Sequence, residues 1–333
     1  MLNNEADTEK YFRLDHKNPG HKDFVVINWC LGNVCNYSCT YCPEQLHRGD
    51  HKFPPLQTVL NFVDKTLQHY SGRKLYFEFT GGEVTLWKDL LPLARELKKR
   101  QCKIGIISNG SRSIDFYARL IEDIDHICLS FHPESSDEEH FLSVVKLCSE
   151  KIRTHANFMM LPEAFEQALA VSMRVIEIPN ISIALQPLVE ELSGPIWSYT
   201  PSQLKVMNMQ GQALVRHIKH TRSFEYFRGA MQVTYTSGRQ KTLTPQWFIS
   251  AGQNNWQGWD CYAGLEQIVV DLDGYIYRGW CKAGGSLGKI DDSNLELPSN
   301  PIRCPKNNCH CNLDIMTSKI KPEPNLDSPH PPS

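Results

Sequence analysis

The stretch DFVVINWCLGNVCNYSCTYCPE, residues 23–44, decides how the rest of the chain is read. It opens on a short apolar run rich in Val and Ile, the composition of a buried strand. The loop after it presents Cys35, Cys39 and Cys42 at intervals of three and two residues, which lets three thiolates converge on one compact metal group. A structural zinc ordinarily takes four protein ligands, and only His47 stands nearby to complete such a set. A cubane iron–sulfur cluster on three thiolates keeps one iron open, which suits chemistry rather than structure.

Beyond this loop come five more strand-like runs: LYFEFT, KIGIIS, HICLSF, THANFMM and ISIALQP. Amphipathic stretches lie between them, such as LWKDLLPLARELKKR, where Leu86, Leu90, Leu93 and Leu97 share one helical face. Six strand–helix repeats imply an α/β fold of parallel strands joined by right-handed crossovers. Six strands do not close the usual eight-stranded barrel, so a partial, open (β/α)6 barrel is expected.

Past residue 190 the pattern changes. A helix is expected from about Pro201 to His220, then a hairpin at Thr236-Ser237-Gly238-Arg239 and a second one in EQIVVDLDGYIYRGWC turning at Asp273-Gly274. The Pro- and Ser-rich end, SKIKPEPNLDSPHPPS, reads as a disordered tail. The domain division is residues 1–20 as an extension, 21–190 as the barrel, 191–258 as a connecting region, 259–316 as a C-terminal module and 317–333 as tail.

The chain has 333 residues, 41% of them hydrophobic, and a formal net charge of -2. No polybasic run marks a nucleic-acid surface, no apolar stretch approaches the roughly 20 residues of a membrane span, and the polar start is unlike a signal peptide. These features point to a cytoplasmic protein. Twelve cysteines in such a chain speak for metal rather than disulfides. Cys261, Cys281, Cys304, Cys309 and Cys311 gather near the end, while Cys30, Cys102, Cys128 and Cys148 lie in apolar segments as small core residues.

CNYSCTYC, residues 35–42, resembles the signature of the radical SAM superfamily, with Tyr41 in its aromatic position. Thr80-Gly81-Gly82-Glu83 resembles the family's GGE motif, and Ser108-Asn109-Gly110 and Ser130-Phe131-His132 end the third and fourth strands. Polar groups at the carboxyl ends of parallel strands stand where α/β barrels place their sites. The resemblance implies a [4Fe–4S] cluster on Cys35, Cys39 and Cys42 that cleaves S-adenosylmethionine (SAM) to a 5'-deoxyadenosyl radical. It further implies that Tyr41 packs beside the adenine, that Gly81, Gly82 and Glu83 engage the SAM amino group, and that Ser108, Asn109 and Ser130 touch its ribose and carboxylate.

CYAGLEQIVVDLDGYIYRGWC with the adjoining LGKI resembles the SPASM and twitch modules of radical SAM enzymes. That implies a second, auxiliary [4Fe–4S] cluster on Cys261, Cys281, Cys309 and Cys311, with Cys304 either the spare thiol or a substitute for one of these. A four-ligand zinc knot is the alternative. A spare thiol, Cys304 or Cys30, would suit a hydrogen donor to a substrate radical. The polar and aromatic stretch from Trp247 to Trp259 either faces the barrel mouth or packs the extension onto the barrel. The resemblance leads to an enzyme acting on a peptide or a small polar, sugar- or aminocyclitol-like metabolite, supplied with electrons by a flavodoxin or ferredoxin. The alternatives are a radical SAM enzyme modifying RNA and a non-catalytic iron–sulfur or zinc protein.

Overall fold

The computed structural model describes residues 9–189, 197–213 and 230–322. Strand β1 (Tyr11–His16) stands apart from the alternating strands and helices of the barrel. These are β2 (Phe24–Cys30), α1 (Leu56–His69), β3 (Lys74–Thr80), α2 (Leu90–Lys99), β4 (Lys103–Ser108), α3 (Ile114–Leu120), β5 (His126–Phe131), α4 (Glu138–Lys151), β6 (Arg153–Met159), α5 (Phe165–Val175) and β7 (Ile181–Gln186). Strands β2 to β7 run parallel and lie side by side in sequence order. This is the expected open half-barrel. Every residue of β5 is buried, as a parallel strand covered on both faces requires.

Helix caps come from local side chains: Ser113 accepts from the Phe116 N–H at α3, and Asp137 from the His140 N–H at α4. Leu90, Leu93 and Leu97 of α2 are buried against the sheet, as their spacing predicts, whereas Leu86 lies in a preceding 3-10 turn. Phe141, Val144 and Val145 of α4 are fully covered as well. Each such side chain contributes about 1.5–3 kcal/mol on burial.

The remaining elements are α6 (Pro201–Ala213), β8 (Met231–Tyr235), β9 (Gln240–Leu243), α7 (Pro245–Ser250), β10 (Asp260–Cys261), β11 (Gln267–Val270), β12 (Tyr275–Tyr277), β13 (Gly288–Lys289), β14 (Ile302–Arg303), α8 (Asn312–Ile315) and β15 (Lys319–Ile320). Both expected hairpins form, β8–β9 and β11–β12, the latter turning at Gly274 with φ +77°. Beyond Ala213 the expected helix falls outside the described residues.

Three features depart from the sequence reading. Strand β11 pairs in parallel with β2, so the C-terminal hairpin continues the barrel sheet across the division at residue 259. The N-terminal extension supplies β1, which lies inside a second, six-stranded sheet between β8 and β15. The tail begins later than residue 317, because β15 pairs with both β1 and β10 and buries Lys319; residues 323–333 lie outside the described residues. These strands are two to six residues long and take their partners from distant parts of the chain, so no local periodicity announces them.

A second apolar cluster stands behind this sheet, built from Leu14, Met231, Val233, Tyr235, Phe248 and Trp256 with Cys309 and Ile315. Trp256 is 1% exposed and Trp247 and Trp259 pack against the cluster, so these tryptophans serve the core of the extension.

Candidate active site

The loop after β2 is strapped to three strand ends. Beneath it, Gly82 N–H donates to Gly32 O and Glu83 N–H to Val34 O, both at 2.8 Å. A Cβ on Gly81 (φ +142°) would stand 2.2 Å from Gly32 O, and one on Gly82 would stand 2.4 Å from Val34 O. The two glycines therefore let the turn after β3 press against the segment that leads into Cys35. On one side Asn36 meets Asn109 and Ser111, each at 3.0 Å. On the other, Thr40 donates through its N–H and its hydroxyl to the Glu134 carboxylate, at 2.8 and 2.6 Å.

Cys35, Cys39 and Cys42 line one cavity of about 190 Å3, together with Tyr37, His47, Gly81, Gly82, Ser108, Asn109, Ser130, His132 and Met159. All three thiols are free of disulfides. Burial raises each of them, and the Cys42 thiol, crowded by Cys39 and Cys35, is pushed up to about 11. Among the described residues no three His, Cys, Asp or Glu side chains are placed to hold a single metal ion, the cysteine set with His47 included. A cubane offers its irons at separate corners, so its thiolates stand apart around it. Soft donors on one wall and polar strand ends on the other fit a [4Fe–4S] cluster with SAM beside it.

Glu83 does not line this cavity. It is fully buried, and Oε1 accepts from Thr85 N–H at 3.0 Å, Thr85 Oγ1 at 2.5 Å and Ser108 Oγ at 2.9 Å, while Oε2 accepts from Asn109 N–H at 2.6 Å. Burial pushes its carboxyl above the usual value although these donors pull it back. Its carboxylate clamps the end of β3 to the end of β4, so it positions Ser108 and Asn109. Tyr41 likewise stands outside the cavity lining, its ring stacked parallel to His132 (5°, centroids 6.0 Å apart) and its hydroxyl 2.8 Å from His132 Nδ1.

His132 and Tyr37 are the residues that sequence reading left unassigned. Burial lowers the His132 imidazole to about 4, which makes it neutral near pH 7, and its Nδ1 stands 3.5 Å from Cys39 Sγ. Tyr37 sets its ring edge-on to His132 at 5.9 Å. The only sequence signal for His132 was its place just past a parallel strand. Cys30 ends β2 outside the cavity, and burial pushes its thiol up to about 12.

The C-terminal cysteines come together from separate elements. Cys261 on β10 faces Ile302 of β14 across the ladder, and Cys304 N–H donates to Trp259 O at 2.8 Å. Cys281 is fixed by its N–H to Asp314 Oδ2 at 2.6 Å, and Cys309 by its N–H to Asn254 O at 2.9 Å. Burial raises the thiols of Cys281, Cys304 and Cys309 above their ordinary value. Cys311 occupies the N-cap of α8.

An open parallel half-barrel with three free thiols at the mouth, in one cavity with Gly-Gly and Ser-Asn strand ends, defines a SAM-cleaving iron–sulfur class of enzyme. Residues 29–176, somewhat under half of the chain, match the family described as the radical SAM superfamily. A S-adenosylmethionine-dependent nucleotide dehydratase of Psychrobacter lutiphocae is 25% identical over 233 residues, 64% of this chain and 74% of that protein. A protein of Saccharolobus islandicus named "Probable GTP 3',8-cyclase" is 28% identical over 109 residues, 32% of this chain and 34% of its own. Among solved structures, AdoMet-bound anSMEcpe aligns with a TM-score of 0.52 at 17% identity, over 82% of this chain and 79% of that one. Streptococcus suis SuiB bound to the precursor peptide SuiA aligns with a TM-score of 0.51 at 13% identity, over 81% and 63%. At these identities the two structures speak for the fold. Among the described residues no helix is long and apolar enough to cross a membrane.

Proposed function

We propose that Cys35, Cys39 and Cys42 hold the [4Fe–4S] cluster, that SAM lies against Gly81, Gly82, Ser108, Asn109 and Ser130, and that the radical is spent on a small polar substrate of nucleotide type. The observation that carries this reading is the shared cavity, in which the three thiols face the other motif residues. When bound, the cluster supplies an electron to the sulfonium, giving methionine and a 5'-deoxyadenosyl radical that abstracts hydrogen from carbon.

The chain's own residues orient and enclose. Asn109 and Ser130 present polar groups to the cavity, while Glu83 holds Ser108 and the Asn109 backbone in place. Neutral His132, hydrogen-bonded through Nδ1 to the Tyr41 hydroxyl, adds no charge beside Cys39. Ser135 and Glu134 fasten the outer rim of the loop. Nucleotides are preferred to peptides because the names of both sequence relatives refer to nucleotide chemistry, whereas the peptide-linked neighbour shares the fold at 13% identity.

The C-terminal cysteines, in a twitch-like module over residues 259–316, are assigned to an auxiliary [4Fe–4S] cluster, and a flavodoxin or ferredoxin to electron supply. Anaerobic reconstitution followed by dithionite and SAM tests the whole. We expect about eight iron atoms per chain, formation of 5'-deoxyadenosine, and none of it from the Cys35→Ala, Cys39→Ala, Cys42→Ala triple variant. Undiminished 5'-deoxyadenosine in that variant would sink the assignment. Stimulation by short peptides, but not by any nucleotide, would reverse the choice of substrate.

A further inference from the structure

The residues assigned to SAM stand at the carboxyl ends of β3, β4 and β5, and β6 and β7 carry the half-barrel on to its open side. Side chains of a strand alternate between its two faces. On β6, Ala156 and Phe158 belong to the apolar core, whereas His155, Asn157 and Met159 on the opposite face are partly exposed. Met159 lines the thiol cavity, so this is the inner face of the barrel. Asn157 lies in register with cavity-lining Ser130, and His155 lies in register with Cys128 on one side and Ser182 on the other. Cys128, expected from the sequence as a core residue, stands on this inner face and outside the apolar cluster that takes Ile127 and Leu129.

These side chains form one hydrogen-bonded string from β7 to β5. Ser182 Oγ stands 2.8 Å from His155 Nδ1, His155 Nε2 stands 3.0 Å from Asn157 Oδ1, and Asn157 Nδ2 donates to Cys128 Sγ at 3.3 Å. A carboxamide oxygen only accepts, so His155 donates to Oδ1 through Nε2. The string uses one lone pair of Oδ1 and one N–H of Nδ2, and a carboxamide carries two of each. Asn157 is therefore held in one orientation from both ends, with a second donor and a second acceptor left over side by side among the described residues. Packing alone does not require this string, because Ile107, in register with Cys128 one strand away, lines the same cavity as a hydrocarbon.

We infer that Asn157 is a specificity-determining residue that reads the base edge of a nucleotide through this donor–acceptor pair, with His155 as the positioning residue behind it. A carboxamide presents its donor and acceptor next to each other, and a bidentate pairing of that kind is a recognised means of telling one base from another. Holding the carboxamide from both ends fixes which side donates and which accepts, and that order is what discriminates. The inference rests on the nucleotide-type substrate proposed above and deepens it by naming the strand and the side chain that meet the base. A carboxamide serving the barrel alone would tie β5 to β6 and leave base preference untouched.

The test is equilibrium dialysis of the four ribonucleoside 5'-triphosphates, one at a time, against the reconstituted chain with SAM and without reductant, so that no turnover intervenes. The parent should prefer one base. In Asn157→Leu the affinity for that nucleotide should fall about tenfold and the preference should vanish, with SAM affinity held. Asn157→Asp keeps the volume and the acceptor of the His155 bond but loses the donor, and should lose the preference too. His155→Leu should weaken the preference, and His155→Gln, whose Nε2 still donates, should restore most of it; no rescue would overturn the positioning role of His155. Unchanged preference in both Asn157 variants overturns the inference and leaves the nucleotide reading standing. A fall in SAM affinity in place of nucleotide affinity assigns Asn157 to the SAM side and overturns it, as does a parent that binds all four alike. A parent that binds none of the four overturns both the inference and the nucleotide reading. Failure of both Asn157 variants to fold assigns the carboxamide to the barrel alone and also overturns the inference.

Discussion

Gly82→Ala tests whether the turn after β3 sets the position of the cysteine loop. The added methyl would meet Val34 O at 2.4 Å and the carbonyl carbons of Asn33 and Val34 at 2.7 Å, where ordinary contact begins at 3.4 Å. These are backbone atoms and cannot swing away, so the two segments must part by about 1 Å. Overpacking of this kind costs about 1–3 kcal/mol. Parting also stretches the bonds from Gly82 N–H to Gly32 O and from Glu83 N–H to Val34 O, worth about 1 kcal/mol each. The expected destabilisation is about 3–5 kcal/mol. Val34 adjoins Cys35, so the opening displaces the first thiol from the SAM side of the cavity. Misplacement by 1 Å costs about 10²-fold in rate. The assays are urea unfolding and 5'-deoxyadenosine formation per reconstituted cluster. Gly72→Ala serves as control: its φ is +83° with open space around the Cβ, so it should cost about 1–2 kcal/mol of strain and leave cleavage untouched. Parent-like stability and cleavage in Gly82→Ala would refute the reasoning.

Two further predictions concern carboxylates. Glu83→Gln keeps the volume but turns one acceptor into a donor, leaving a buried N–H or hydroxyl unpaired at about 1–3 kcal/mol. SAM affinity by equilibrium dialysis should fall while iron content holds, and unaltered affinity would remove Glu83 from the positioning of Ser108 and Asn109. Glu266 is a buried acid whose desolvation is outweighed by His16 at 3.1 Å and the Ser318 N–H at 2.7 Å, so its carboxyl lies below the ordinary value of 4.5. Its stabilising contribution is therefore complete above about pH 4.5 and drains away as pH falls through the lowered folded value. Unfolding curves should show the parent losing its advantage over Glu266→Gln below pH 4.5, and a gap independent of pH would count against this account.

The barrel was legible because its evidence is local. Each strand from Phe24 to Gln186 is a short apolar run, each helix carries a 3.6-residue stripe, and three cysteines within eight residues declare a compact metal group. The cavity-lining places of Gly81, Gly82, Ser108, Asn109 and Ser130 came from standing at strand ends. What those ends do was decided by packing. The resemblance implied that Gly81, Gly82 and Glu83 engage the SAM amino group; packing adds that the glycines make room for Gly32 and Val34, and Glu83 turns inward to a clamp rather than outward to the cavity.

The second sheet had no such local signature. β1, β10, β14 and β15 are two to six residues long and find partners up to some 300 residues away, as Arg13 does in Ile320. Lys319 read as part of a disordered tail because composition sees a charge, whereas the fold sees a ring of carbonyls and an aromatic face ready to bury it. Sequence by itself determined the order of the barrel strands and the cysteine motif at their mouth, since ligand spacing and strand periodicity are short-range properties. Tertiary structure alone decided that Glu83 turns inward as a clamp and that Lys319 is buried in a second sheet, because burial depends on segments brought together only by the closed fold.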